Sequence, residues 1–237
     1  MTSLERGERT IVVTGACGAL GEAVIGQFAQ YGDQVIGWDV DAPGPGALVD
    51  DERRNTMHWM NVDVSDPGVV ADAVDTVRQE IGEIDVVIHC AGGFRWSHVD
   101  ELSTQDIDFL VDVNLRSSLY LARSVMGPMK EQGQGRLIFI SSRSTISPGA
   151  GESAYAATKA GLNALTRSLA DEVKDSEITV NALQPSVIDT PNNREEMSDA
   201  DFSSWVPRSE LAELMEYLIS PAARSVSGAL ITVSGRT

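Results

Sequence analysis

The stretch TIVVTGACGALG, residues 10–21, passes from an apolar run through three glycines into a helical pattern. TIVVTG (10–15) reads as a first strand, and a helix is predicted from about Leu20 to Tyr31. Gly15, Gly18 and Gly21 recur every third residue through the turn between them. Glycines there permit a tight turn, close approach of backbone to a pyrophosphate, and close helix–strand packing. The helix N-terminus offers unpaired N–H groups and a positive dipole end to phosphates. A glycine triplet alone equally describes a tight loop with no ligand. Its place, after a first strand and at the opening of a helix, is what dinucleotide binding requires.

Outward from that turn, short apolar runs alternate with longer helical segments, the pattern of a parallel sheet covered by helices. Strands are predicted at 34–39, 57–63, 84–92, 135–142, 178–185 and 228–235. Helices are predicted after Pro67, through a long region from Ser103 to Gln132, from Ala154 to Lys174, and over the amphipathic segment 208–220. DAPGPG (41–46) reads as a surface turn, and no linker or repeat interrupts the chain, so residues 1–237 are expected to form one domain. The second strand ends in Asp39, whose carboxylate can accept hydrogen bonds from adenosine ribose hydroxyls and repels a 2′-phosphate. With no arginine or lysine in the turn or directly after Asp39, NAD(H) is expected over NADP(H).

Acidic residues number 35 against 18 basic ones, giving a net charge of −17. Such a field disfavours nucleic acid and anionic membranes, which need a basic footprint. No apolar stretch is long enough to span a bilayer, and MTSLERGERT (1–10) lacks a secretory apolar segment, so a cytoplasmic location is expected. Cys17 and Cys90 make no disulfide or metal framework by spacing. Cys17 reads as a small filler within the turn rather than a reactive thiol.

SAYAATKAG (153–161) places Tyr155 and Lys159 one helical turn apart on a shared face. Taken with TGACGALG (14–21), CAGG (90–93), VNL (113–115), ISS (140–142), YAATK (155–159) and VNALQPSVIDT (180–190), the chain resembles the short-chain dehydrogenase/reductase family along essentially its whole length. The resemblance implies a Rossmann-type, doubly wound parallel α/β sheet of about seven strands with helices on both faces. It assigns Tyr155 as general acid or base, Ser142 as the hydroxyl that polarises the substrate oxygen, and Asn114 as the support of a water-linked proton path. Lys159 is expected to lower the phenol's pKa and to bind the nicotinamide ribose. Cofactor contacts carry over to Gly15, Cys17, Gly18, Ala19, Leu20 and Gly21 of the turn, to Asp39, and to Asp63 and Val64 after the third strand. They continue at Cys90, Ala91 and Gly92, at Tyr155 and Lys159, and at Pro185, Val187 and Thr190. Cys90 stands where the family usually has asparagine, and Ser186 where glycine is frequent.

The expected substrate is a small carbonyl compound or alcohol, reached through a loop at about 190–207. Phe94, Trp96, Arg143 and Trp205 are candidate substrate contacts, with Arg95 beside them. CAGGF (90–94) and the run ending ADFSSW are similar to dihydropteridine reductase and its bacterial relatives, so reduction of a quinonoid pterin is the alternative. That enzyme type lacks the serine, and Ser142 ranks the ketone first. A non-catalytic NAD(H) sensor is a further reading, disfavoured because Tyr155 and Lys159 are both kept. Family members commonly assemble as homotetramers or homodimers through the long helix and the Tyr155 helix, with the closing strand at a second interface.

Overall fold

The computed structural model describes residues 6–42 and 56–236. Strand β1 (Thr10–Thr14) is followed by helix α1 (Ala19–Ala29), β2 (Gln34–Asp39), β3 (Met57–Asn61), α2 (Pro67–Glu80) and β4 (Val86–His89). Helix α3 (Thr104–Val111) runs through a wider π-helical turn, Asp112–Arg116, into α4 (Ser117–Gln132). The chain continues through β5 (Gln134–Ile140), α5 (Ser153–Glu172), β6 (Glu177–Pro185), α6 (Pro191–Glu196), α7 (Arg208–Ile219) and β7 (Leu230–Val233). The strands form one parallel sheet in the order β3-β2-β1-β4-β5-β6-β7.

Side chains alternate across a strand, so each strand feeds two cores. Val12 packs with α2, α4 and α5 on one face, while its neighbours Ile11 and Val13 pack with α1 and α7 on the other. Burial on both faces explains the unbroken apolar runs of β1 and β4. Local signals start and stop the helices. Asp66 accepts from the Gly68 and Val69 amides ahead of Pro67, and Gly133 ends α4 at φ 81°.

The expected long helical region at 103–132 is divided by the π turn, which holds Asn114 at its centre. There the Ser117 hydroxyl donates to Val113 O at 2.7 Å and the Ser118 hydroxyl to Asn114 O at 3.0 Å. These hydroxyls occupy carbonyls in the segment where the regular ladder is widened. The expected 190–207 loop contains a helix of its own, α6, because Thr190 accepts from the Asn193 amide and Pro191 pre-sets the first turn. Residues 43–46 of the expected 41–46 turn lie outside the described residues.

Topology decides where a ligand can go. The chain leaves β1 toward β2 and β3, then returns to β4 on the opposite side of β1. Connections diverge at the carboxyl ends of β1 and β4 and open a crevice there, the switch point of a doubly wound sheet. The glycine turn, Asp39, residues 90–93, Ser142 and Pro185 all follow or end strands at that edge.

Candidate active site

The glycine turn is sterically committed. Gly15 has φ 61°, and a Cβ there would stand 2.7 Å from the Ala91 amide nitrogen. A Cβ on Gly21 would collide with the Gly15 carbonyl. Gly18 is the N-cap of α1 and brings no capping side chain, so the first amides of the helix keep their donors for a ligand. Asp39 closes the rim, its two carboxylate oxygens accepting from the Cys17 and Asp41 amides at 3.0 Å each. Burial and the charges of Asp39, Asp41 and Glu22 push the Cys17 thiol up, which keeps it neutral. Asp63 and Val64 come just past β3, beyond Val62, with the Asp63 carboxylate accepting from the Ser65 amide at 2.9 Å. These features fit an adenosine pyrophosphate: bare backbone at the turn, uncapped amides, and a carboxylate at the rim.

Four expected chemical groups converge across the crevice from three elements. Ser142 follows β5, is 8% exposed, and its hydroxyl accepts from the Ser144 amide at 3.1 Å. The Tyr155 phenol, in the first turn of α5, is near enough for Ser142 to pull its pKa down as a polar partner. Lys159, 4% exposed, donates from Nζ to Ile140 O at 2.8 Å and lies 5.9 Å from the Tyr155 ring centroid. Asn114, at the centre of the π turn, donates to Gly93 O at 2.9 Å and accepts from the Gly93 amide at 3.0 Å. A Cβ on Gly92 would stand 3.0 Å from Asn114 Oδ1 and 3.2 Å from Lys159 Nζ, so Asn114 and Lys159 meet at that glycine.

One electrostatic expectation is reversed. The Tyr155 phenol is pushed up rather than lowered, because burial outweighs its hydrogen bond with Ser142 and the nearby Glu152 charge adds to the rise. Burial also pulls Lys159 down to about 8, with Cys90 opposing weakly. The Cys90 thiol is driven up to about 12 by burial, and Lys159's charge pulls against it. The site therefore holds a protonated phenol and a neutral thiol around one buried amine.

His89 lies outside every motif of the sequence. It ends β4, is 2% exposed, and joins the turn to the π segment. Nδ1 lies 2.7 Å from Thr14 Oγ1 and Nε2 lies 3.1 Å from Ser117 Oγ. The partners assign the tautomer. The Ser117 proton goes to Val113 O, so Ser117 must accept from Nε2–H, and Nδ1 then accepts from the Thr14 hydroxyl. Thr14 Oγ1 in turn accepts from the Ala91 amide at 3.2 Å. Burial, aided by Lys159's charge, holds the ring down to about 3, so it stays neutral. The one signal in the sequence was a polar residue inside the apolar run DVVIHC (85–90). His89→Leu leaves the buried Thr14 proton without its acceptor and takes one donor from Ser117 Oγ, and is expected to cost about 1–3 kcal/mol, read as a lower urea midpoint with unchanged slope. An unchanged midpoint would remove the relay from the account.

The substrate candidates separate. The Phe94 ring meets the Tyr155 ring edge-on at 4.9 Å between centroids, which keeps it beside the candidate acid. Trp96 is 57% exposed, and its Nε1 donates to Ala150 O at 2.9 Å, clipping the segment after β4 to the one before α5. Arg143 directly follows Ser142 and is half-buried. Trp205, expected at the substrate, is instead 5% exposed and packs its ring on Phe202, which leaves it little face for a ligand. Arg95 is drawn away to Asp106 at 3.5 Å and over the Phe109 ring at 4.1 Å. Among the described residues no helix is long and apolar enough to cross a membrane.

Residues 9–201 match the family model described as short chain dehydrogenase. The 3-oxoacyl-[acyl-carrier-protein] reductase FabG of Escherichia coli (strain K12) is 31% identical over 232 residues, covering 94% of this chain and 95% of that protein. Among solved structures, gox2181 superposes with a TM-score of 0.89 at 28% identity, over 97% of this chain and 95% of that one. The 3-ketoacyl-(acyl-carrier-protein) reductase of Brucella melitensis complexed with NADH shares the fold, with a TM-score of 0.85 at 24% identity over 96% of this chain and 98% of its own.

Proposed function

The chain belongs to the short-chain dehydrogenase/reductase family and is an oxidoreductase of that family, and on that premise we propose that it interconverts a small ketone or aldehyde and its alcohol with NAD(H). The observation that carries the reading is the convergence of Ser142, Tyr155 and Asn114 on buried Lys159, whose Nζ lies 5.9 Å from the Tyr155 ring centroid. The nicotinamide cofactor supplies the hydride. Gly15, Cys17, Gly18, Ala19, Leu20 and Gly21 would hold its pyrophosphate, Asp39 its adenosine ribose, and Asp63 and Val64 its adenine. Ala91 and Gly92 would line the adenosine ribose beside Cys90, and Pro185, Val187 and Thr190 the nicotinamide carboxamide.

Tyr155 donates its proton to the substrate oxygen in reduction. The Ser142 hydroxyl, whose lone pair receives the Ser144 amide, turns its one proton from the Tyr155 oxygen to the substrate oxygen. Lys159 holds positive charge beneath them at neutral pH and steadies the phenolate left after transfer. Asn114, clamped on Gly93, keeps the π turn in place as the support of proton return. Ser142 favours a carbonyl over a quinonoid pterin, because a developing oxyanion needs that donor. A 3-oxoacyl thioester lies within the carbonyl class, but the exposed acids of the lid, Glu195, Glu196, Asp199 and Asp201, oppose a large polyanionic carrier. One domain, a cytoplasmic location and a homotetramer or homodimer formed through α4 and α5 belong to the same proposal.

Asp39 carries the choice of NAD(H), so titrating NADH and NADPH by fluorescence tests it. Wild type is expected to bind NADH at least about tenfold more tightly, and Asp39→Ser to narrow or invert that ratio. Tighter NADPH binding by wild type would overturn the assignment.

A further inference from the structure

The glycine turn carries no cation of its own, and the charges around it are negative. Glu22 lies in the first turn of α1, and Asp39 and Asp41 stand at the rim. In a chain of net charge −17, a pyrophosphate with two negative charges meets repulsion there unless a cation arrives from elsewhere. Arg208, half-buried at the first position of α7, reaches the spot. Its Nη1 donates to the carbonyl of Ala19, the first residue of α1, at 3.2 Å.

Its approach is built into the fold. The Val206 amide donates to Val187 O at 2.9 Å and the Asp189 amide to Val206 O at 2.8 Å, so residue 206 is paired with the segment leading to Thr190. Arg208 lies two residues beyond that pairing and spans from it to the glycine turn. Asp189 feels the Arg208 charge, but its carboxylate is already gripped by Arg194 through bonds of 2.6 and 2.8 Å. Arg208 is therefore not used up by a carboxylate fork, and a guanidinium with one N–H on Ala19 has four more to give.

We propose that Arg208 is the cation of the pyrophosphate site, donating to phosphate oxygens at the N-terminal end of α1 while strapping α7 to the turn. This inference rests on the reading of the turn as a dinucleotide site. It supplies from α7 the positive charge that the turn itself lacks.

The test measures binding of NADH by fluorescence, and of ADP-ribose and adenosine by calorimetry, to wild type, Arg208→Gln and Arg208→Lys. The glutamine variant is expected to weaken NADH and ADP-ribose by about tenfold each and to leave adenosine unchanged. Its NADH affinity should also fall less steeply with salt, whereas the lysine variant should keep most of the affinity and the salt slope. NADH binding unchanged in Arg208→Gln, or adenosine weakened as much as ADP-ribose, would overturn the proposal. If Arg208→Gln proves unstable, Arg208→Lys decides: loss of ADP-ribose affinity at an unchanged thermal midpoint would count against a role for charge. Failure of wild type to bind NADH or ADP-ribose would instead sink the dinucleotide reading beneath it.

Discussion

Tyr155→Phe is expected to lower kcat for ketone reduction by about 10³-fold while changing NADH affinity by no more than about twofold. The split follows from what the hydroxyl touches. In the proposed reaction it acts on Ser142 and the substrate oxygen, whereas the ring packs on Phe94 and would survive the change. The pH profile supplies the sign. Because burial pushes the Tyr155 phenol up, the acid form persists through neutral pH, so the reductive rate should stay level there and fall only as the phenol ionises. Alcohol oxidation needs the phenolate and should climb as pH rises over the same range. Lys159, pulled down to about 8, loses its charge above that pH and withdraws support from the phenolate. Wild-type activity surviving in Tyr155→Phe would move the acid to another group.

Ser142→Ala is the second large effect, expected at about 10²-fold in kcat, with ketone KM altered far less. A donor that strengthens as the oxyanion forms acts on the transition state more than on substrate binding. Losing the Ser144 amide's acceptor at the turn after β5 is expected to cost about 1 kcal/mol of stability, which a melting curve separates from the kinetic loss. A fall in KM-dependent binding alone, with kcat preserved, would reassign Ser142 as a positioning group. Kinetic indifference would favour the pterin alternative, whose enzymes lack the serine.

The sheet was legible because both of its faces are covered, leaving apolar runs at every strand and glycines at the first turn. That Tyr155 and Lys159 share a helix face was legible from local spacing, since one helical turn suffices to align them, whereas the roles expected of them came from the family resemblance. Long-range partners were not. His89 draws its role from Thr14 and Ser117, far apart in sequence and brought together only by the β1–β4 pairing. Arg208 lies 189 positions from Ala19. Trp205 misled because an aromatic in a presumed loop resembles a ligand contact, whereas the pairing of Ile188 with Val206 folds its neighbour inward. The rise of the Tyr155 phenol could not be read from a lysine's proximity in sequence, because burial acts on both groups at once.

The most direct measurement is oxidation of NADH followed by absorbance as the wild-type protein turns over a panel of small aryl and alkyl ketones, oxo-acids, sugars and quinonoid pterin. The account predicts steady consumption with at least one ketone, dependent on protein concentration and abolished in Tyr155→Phe. NADH consumed with quinonoid pterin alone, or persisting at the wild-type rate without the Tyr155 hydroxyl, would contradict it.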